Sequence, residues 1–79
     1  MNTTIFRTCD LPLAAFLRCK GIQLADEYNI RTKEWSFKEE EECKKLSLCL
    51  SNGEAQVDVI EYEMHRRTLL SAAKRSRND

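Results

Sequence analysis

The feature that most constrains the fold is residues 10–21, a short segment that carries both a helix start and a helix stop. Asp10 is placed to accept a backbone N–H from the first helical turn. Pro12 stands where its missing N–H costs no hydrogen bond, and Gly21 favours the left-handed conformation that ends a helix. The segment therefore predicts a helix over residues 11–20. Its apolar face is expected to consist of Leu13, Ala14, Phe16 and Leu17.

Three short strands are predicted around this helix. Residues 3–8 are β-branched and aromatic, which is typical of a strand. Residues 22–30 alternate with the period of a strand, and residues 34–37 do the same, with Trp35 and Phe37 on one face. The polar residues 31–33 suit a hairpin turn between these two strands, although they lack the usual glycine.

Two more helices are predicted in the second half of the chain. Residues 39–51 have helical spacing, and Asn52-Gly53 marks the end of that helix. Asp58 and Glu61 have the spacing of a capping box, so the last helix begins there and runs to about residue 74. Residues 75–79 are expected to fray. The buried side of the last helix is predicted to consist of Val59, Ile60, Met64, Leu69, Leu70 and Ala73.

These elements predict an α+β fold with the order β-α-β-β-α-α. Helices pack on a small antiparallel three-stranded sheet, and residues 1–79 form a single small domain. A domain of this length buries only about 60% of the surface that its unfolded chain exposes. A second copy would add burial, so a homodimer is consistent with the size of the chain.

In the residues that start and stop its helices, and in their spacing, this chain resembles a family of short bacterial and phage proteins. That family is catalogued only as a domain of unknown function. The resemblance extends from about residue 5 to residue 70, and this chain departs from the pattern in its four cysteines and its more basic C-terminal end. The family has no assigned activity, so the resemblance implies a phage or mobile-element context and no catalytic residues. The matching positions are Thr8, Asp10, Leu11, Leu13, Ala14, Ala15, Lys20, Gly21, Trp35, Phe37, Asn52, Gly53, Val57 and Asp58.

The charges are balanced in number but unevenly placed. Thirteen basic and thirteen acidic residues give a formal net charge of zero, which argues against a surface tuned throughout to nucleic acid. An acidic block complements the positive end of a helix dipole, and a basic helix end complements the negative one, so both groups also have a purely structural explanation. The candidate partner-binding residues are Glu39, Glu40, Glu41, Glu42, Arg66, Arg67, Lys74 and Arg75.

The residues that could support catalysis or metal binding lack the spacing that such chemistry needs. The cysteines form no Cys-x-x-Cys pair, and burial as small apolar side chains is the simpler interpretation. The single histidine, His65, stands in a basic run and is expected at the surface. Both glycines are explained as helix stops, so no phosphate-binding loop is predicted. We therefore expect no enzymatic activity, no metal and no cofactor. The cysteines are Cys9, Cys19, Cys43 and Cys49.

The function expected from these observations is that of a non-enzymatic interaction protein. Together with the resemblance, they suggest a phage- or mobile-element-encoded protein that binds, and thereby inhibits, a protein complex of its host in an anti-defence role. The alternative is a small DNA- or RNA-binding regulator that uses the basic last helix. No segment has the length of a membrane span, and no signal peptide is evident, so we expect the bacterial cytoplasm and reduced cysteines.

Overall fold

The computed structural model describes residues 5–77, which contain two strands and three helices. In chain order these are β1 (Phe6–Thr8), α1 (Leu11–Cys19), β2 (Trp35–Phe37), α2 (Glu40–Ser51) and α3 (Val59–Arg77). The two strands pair antiparallel, with Phe6 opposite Phe37 and Thr8 opposite Trp35. The element order is therefore β-α-β-α-α in a small α+β arrangement. Of the first predicted strand, residues 3 and 4 lie outside the described residues.

The predicted three-stranded sheet is wrong, because residues 22–30 do not form a continuous strand. They meet the free edge of β2 at isolated bridges, one of which pairs Leu24 with Phe37. Beside this bridge, the Ala25 N–H donates to the Ser36 carbonyl at 2.8 Å. The pairing is interrupted at Asp26, whose carboxylate accepts the N–H of the next residue at 2.8 Å. Such local side-chain bonds compete with a sheet ladder.

Asn29 organises the turn that leads into β2. Its side-chain oxygen accepts the N–H of Arg31 at 2.9 Å, and its carbonyl accepts the N–H of Lys33 at 2.7 Å. A bridge between Asn29 and Glu34 closes the turn that was predicted at residues 31–33. Lys33 has a φ of 61° there, so a lysine takes the left-handed conformation for which hairpins usually employ glycine.

The predicted signals at both ends of α1 are confirmed. Asp10 has an extended backbone, and its side chain accepts the Leu13 N–H at 3.4 Å. The helix ends at Cys19, one residue earlier than predicted, and Gly21 follows with a φ of 85°. The five residues from Leu13 to Leu17 are all buried, so this short helix is the centre of the core.

The later helices also begin and end near their predicted limits. Glu39, with a left-handed φ of 60°, directly precedes α2, and Gly53 follows the helix with a φ of 73°. Asp58 caps α3, since its carboxylate accepts the N–H of Ile60 at 2.9 Å and that of Glu61 at 3.1 Å. α3 extends to Arg77, three residues beyond the predicted limit of about residue 74.

The core lies where α1 packs against α3 on one side and meets the sheet and α2 on others. Trp35 and Phe37 of β2 are buried, as predicted, and Ser36 between them is buried as well, so β2 is covered on both faces. A hydrogen bond connects the end of α1 to the segment before α3. In it, the Nζ of Lys20 donates to the Gln56 carbonyl at 2.9 Å. The buried apolar residues are Leu13, Ala14, Ala15, Phe16, Leu17, Ile22, Trp35, Phe37, Cys43, Leu69 and Ala73.

Candidate interaction surfaces

Fewer apolar residues of α3 are buried than the sequence predicts. Leu69 and Ala73 belong to the core, and Tyr62 packs against it partly buried. These residues are seven and four positions apart, which places them on one side of a helix. That side is sufficient to attach α3 to the rest of the fold.

Three residues that were predicted to lie on the buried side of α3 are exposed, and this part of the prediction is wrong. Val59 is 73% exposed, Ile60 is 82% exposed and Met64 is 55% exposed. At 100° per residue, Ile60 and Met64 stand about 160° and 200° around the axis from Tyr62, on the side that faces away from the core. We name these three side chains the α3 apolar face.

The α3 apolar face is bordered by charged and polar groups of the same helix. Together with Glu63, Arg67 and Thr68, it lines a shallow open depression of about 570 Å³. Glu63 and Arg67 lie one helical turn apart along this depression, the acidic residue nearer the start of the helix. The surface therefore combines an apolar centre with charges of opposite sign at its margin, as protein interfaces commonly do.

The four basic candidates on α3 differ in their environment. Arg66 is half-buried, and its Nε donates to Oε1 of Glu63 at 3.1 Å, while the Nε of Arg67 lies 3.9 Å from the other oxygen of that carboxylate. The hydrogen bond from Arg66, aided by the charges of both arginines, lowers the pKa of Glu63. Arg67, Lys74 and Arg75 are exposed. Three of the four predicted basic residues are thus accessible to a partner.

The acidic candidates lie on and before the first turn of α2. Glu40, Glu41 and Glu42 occupy that turn, where negative charge is favoured by the helix dipole, and Glu39 directly precedes it. Lys44 Nζ lies 3.9 Å from Oε1 of Glu40. The acidic candidates therefore belong to α2 and the basic candidates to α3. In each helix, a residue of the opposite charge lies close to at least one of the candidates. Whether either group binds a partner stays a prediction.

Two of the four cysteine thiols, those of Cys43 and Cys19, are poor nucleophiles in their folded environments. Cys43 is fully buried, and its Sγ lies 3.3 Å from the Lys38 carbonyl, to which it donates. Burial, reinforced by Glu39, raises the pKa of Cys43 to about 11. Burial followed by the charge of Glu61 likewise raises the pKa of Cys19. A raised pKa keeps a thiol protonated at neutral pH, and the protonated form is not the reactive one.

His65 is more enclosed than the sequence predicts. Its side chain is only 18% exposed, and its Nε2 lies 3.8 Å from Oε1 of Glu61, one turn earlier on α3. His65 is therefore a half-buried residue at the edge of the surface. Over residues 5–77, no group of three histidine, cysteine, aspartate or glutamate side chains lies close enough together to hold a metal ion.

A second depression, of about 610 Å³, lies between the last turns of α3 and the segment that pairs with β2. Its lining includes Tyr28 and Trp35, whose ring centroids are 4.9 Å apart at an interplanar angle of 52°. Within the described part of the chain, the buried Nε1 of Trp35 has no hydrogen-bond partner. The sequence reasoning missed this depression, because it depends on how α3 meets residues 24–28 in space.

Comparison with known proteins identified no relative of this chain. No family model, no curated protein and no solved structure matches the chain. Within residues 5–77, none of the helices combines the length and the apolar character that crossing a bilayer requires.

Proposed function

We propose that this chain is a non-enzymatic interaction protein, and that the α3 apolar face is where it contacts another protein chain. The observation that carries the proposal is that Val59, Ile60 and Met64 are all exposed and line the same depression on α3. Single exposed apolar residues are normal, whereas a contiguous group beside polar residues is typical of a contact surface.

Two properties of α3 indicate that the α3 apolar face is exposed because it is a contact surface. The helix is anchored independently of this side, through Leu69 and Ala73, so a partner can cover the apolar face without disturbing the core. Methionine is also well suited to contact surfaces, because its unbranched side chain adapts to the shape of a partner.

The kind of partner that we propose rests on the resemblance to short bacterial and phage proteins. On that ground we propose a protein complex of the host cell as the eventual target and inhibition of that complex as the outcome. The charged candidates are the residues that would contact such a target in addition to the α3 apolar face. They are Glu39, Glu40, Glu41, Glu42, Arg66, Arg67, Lys74 and Arg75.

The test compares the wild-type protein with Ile60→Glu as bait in an extract of the cell that makes it. A glutamate in the first turn of a helix is favoured by the dipole, so this variant keeps α3 while removing an apolar contact. Leu48→Glu is the matched control, because Leu48 is 62% exposed on α2. We expect wild type and Leu48→Glu to retain the same protein, and Ile60→Glu to lose it.

The retained protein is then identified by mass spectrometry, purified and bound again in isolation. Loss of binding with Ile60→Glu, and not with Leu48→Glu, supports the α3 apolar face as the contact surface. Equal retention by all three baits would contradict the proposal.

The exposed cations of α3 support a second candidate function, binding of DNA or RNA. Arg67 and Lys74 are seven residues apart, which places them on nearly the same side of the helix, and Arg75 is adjacent. Phosphate contacts of this kind are strongest at low salt. A mobility shift at low salt that Arg67→Glu with Lys74→Glu abolishes would favour this function, and the absence of any shift would remove it.

A further inference from the structure

We propose that the second depression, between the last turns of α3 and residues 24–28, binds a small zwitterion with an apolar body. This is the chemistry of an apolar amino acid or a short apolar peptide. The volume of the depression, about 610 Å³, falls within the range of about 300–1,000 Å³ that is usual for ligand pockets. The inference goes beyond the proposed function, because it concerns a different surface from the α3 apolar face.

Charges of opposite sign stand on the two walls of this depression. Arg75 belongs to the wall formed by α3, and Asp26 and Glu27 belong to the wall formed by residues 24–28. All three side chains are exposed, and within the described part of the chain neither carboxylate forms an ion pair with Arg75. A ligand that carries both a carboxylate and an ammonium group can therefore pair with both walls at once.

The rest of the lining is apolar or aromatic. Leu24, Leu69 and Ala72 contribute aliphatic surface, and the rings of Tyr28 and Trp35 contribute aromatic surface. Leu24 is 37% exposed, so a ligand that covers it removes apolar surface from water. A zwitterion without an apolar side chain lacks this gain, and we expect it to bind far less well.

The indole N–H of Trp35 is a second, independent sign of a ligand. Trp35 is 6% exposed, and within residues 5–77 its Nε1 has no hydrogen-bond partner. A buried donor without an acceptor destabilises the fold, and an oxygen atom of a ligand would remove that cost. Because Nε1 is buried, the oxygen reaches it only when a neighbouring side chain turns aside. We expect Tyr28 to do so, since it is half-buried and its ring centroid lies 4.9 Å from that of Trp35.

The experiment uses the indole N–H of Trp35 as its probe. Trp35 is the only tryptophan in the chain, so it gives a single indole signal in a proton–nitrogen NMR spectrum. The isotope-labelled full chain is titrated separately with leucine and with leucyl-leucine up to about 10 mM, because ligands this small bind in the millimolar range. We expect saturable shifts of the indole signal and of the backbone signals of residues 24–28. The tighter of the two ligands distinguishes a free amino acid from a peptide.

Glycylglycine is the ligand control, because it carries the same two charges without an apolar side chain. It should leave the indole signal in place at the concentrations at which leucyl-leucine saturates its shift. The remaining backbone signals show in each titration that the protein stays folded.

Variants combined with blocked ligands test the two charged walls. Arg75→Gln should raise the dissociation constant of leucyl-leucine by about fivefold, the upper end for an ion pair at a protein surface. The same variant should not weaken leucyl-leucine amide, which has no carboxylate. Lys74→Gln is the matched control, because Lys74 is the adjacent cation and does not line the depression. Asp26→Asn with Glu27→Gln should weaken leucyl-leucine but not its N-acetyl derivative, which has no ammonium group.

Three results would overturn the inference. They are the absence of a saturable indole shift with both leucine ligands, equal binding of glycylglycine, and an Arg75→Gln protein that binds leucyl-leucine as tightly as wild type. Ile60→Glu should bind leucyl-leucine normally, because Ile60 lies outside this depression. The ligand site can therefore fail its test while the α3 apolar face remains a contact surface, and the reverse also holds.

Discussion

Arg66 and Glu63 are joined by a hydrogen bond of 3.1 Å between Nε and Oε1, less than one turn apart on α3. This bond, followed by the charges of Arg66 and Arg67, lowers the pKa of the Glu63 carboxyl. A carboxyl whose pKa is lower in the folded than in the unfolded state stabilises the fold above the unfolded pKa. That contribution disappears as the pH falls through the folded pKa.

The first prediction concerns this pH dependence. Glu63→Gln should reduce the free energy of unfolding at neutral pH, and the difference from wild type should shrink as the pH falls through the pKa of Glu63. Urea unfolding at a series of pH values measures the difference. Glu54→Gln, which removes a carboxylate from an exposed loop, is the control. A difference that stays constant from pH 7 to acid would contradict the role given to the Arg66 bond.

The second prediction concerns thiol reactivity. Cys43 is buried with a pKa raised to about 11, whereas Cys9 is exposed. Because the thiolate is the reactive form, we expect an alkylating reagent at about pH 8 to modify Cys9 quickly and Cys43 only after unfolding. Mass spectrometry of the native and urea-treated protein locates the modified thiols. Equal rates at Cys9 and Cys43 in the native protein would show that the thiol of Cys43 is accessible.

The same raised pKa has a consequence at alkaline pH. The thiol of Cys43 is more strongly protonated in the folded than in the unfolded state, so its contribution to stability is complete below its ordinary pKa of 9.0. The contribution is lost as the pH rises from there through about 11. Cys43→Ala should therefore be less sensitive than wild type to pH in this interval, as measured by urea unfolding.

The third prediction concerns the start of α3. Asp58 accepts two backbone N–H groups, so Asp58→Ala should lower the free energy of unfolding by about 1 kcal/mol. Asp58→Asn retains an acceptor oxygen and should lose less. Urea unfolding of both variants gives the comparison. If alanine and asparagine were equivalent at this position, the cap would contribute nothing through its hydrogen bonds.

The fourth prediction compares a buried leucine with an exposed one. Leu17 is fully buried in α1, and Leu17→Ala should cost about 2–5 kcal/mol, which is comparable with the whole stability of a small domain. Leu48 is exposed on α2, and Leu48→Ala should change stability by less than about 0.5 kcal/mol. Thermal unfolding monitored by circular dichroism distinguishes the two. A folded Leu17→Ala protein of wild-type stability would contradict the position of α1 at the centre of the core.

The helix ends could be predicted from sequence because their causes are local. Asp10 and Asp58 act on N–H groups within three residues, and Gly21 and Gly53 supply left-handed backbone directly after a helix. No tertiary information is needed for such interactions, and the structure places all four residues at the predicted positions. Asn29 is equally local in its effect. Its hydrogen bonds were missed because the apolar alternation of residues 22–30 indicated a strand.

The exposed side of α3 could not be predicted in the same way. Periodicity indicates that the helix has apolar residues on more than one side, but which side is buried depends on the element that packs against it. That element is α1, which packs against one side of α3. Leu69 and Ala73 are covered, while Ile60 and Met64 stand on the opposite side. Which side of α3 faces α1 becomes visible only once the two helices are placed together.

The brevity of the sheet has a consequence for how these molecules aggregate. β1 covers one edge of β2, and the bridge at Leu24 covers part of the other. The outer edges are therefore a strand of three residues and an interrupted segment, and edges that short are weak templates for adding further strands. Growth of fibrils from the folded state is thus disfavoured.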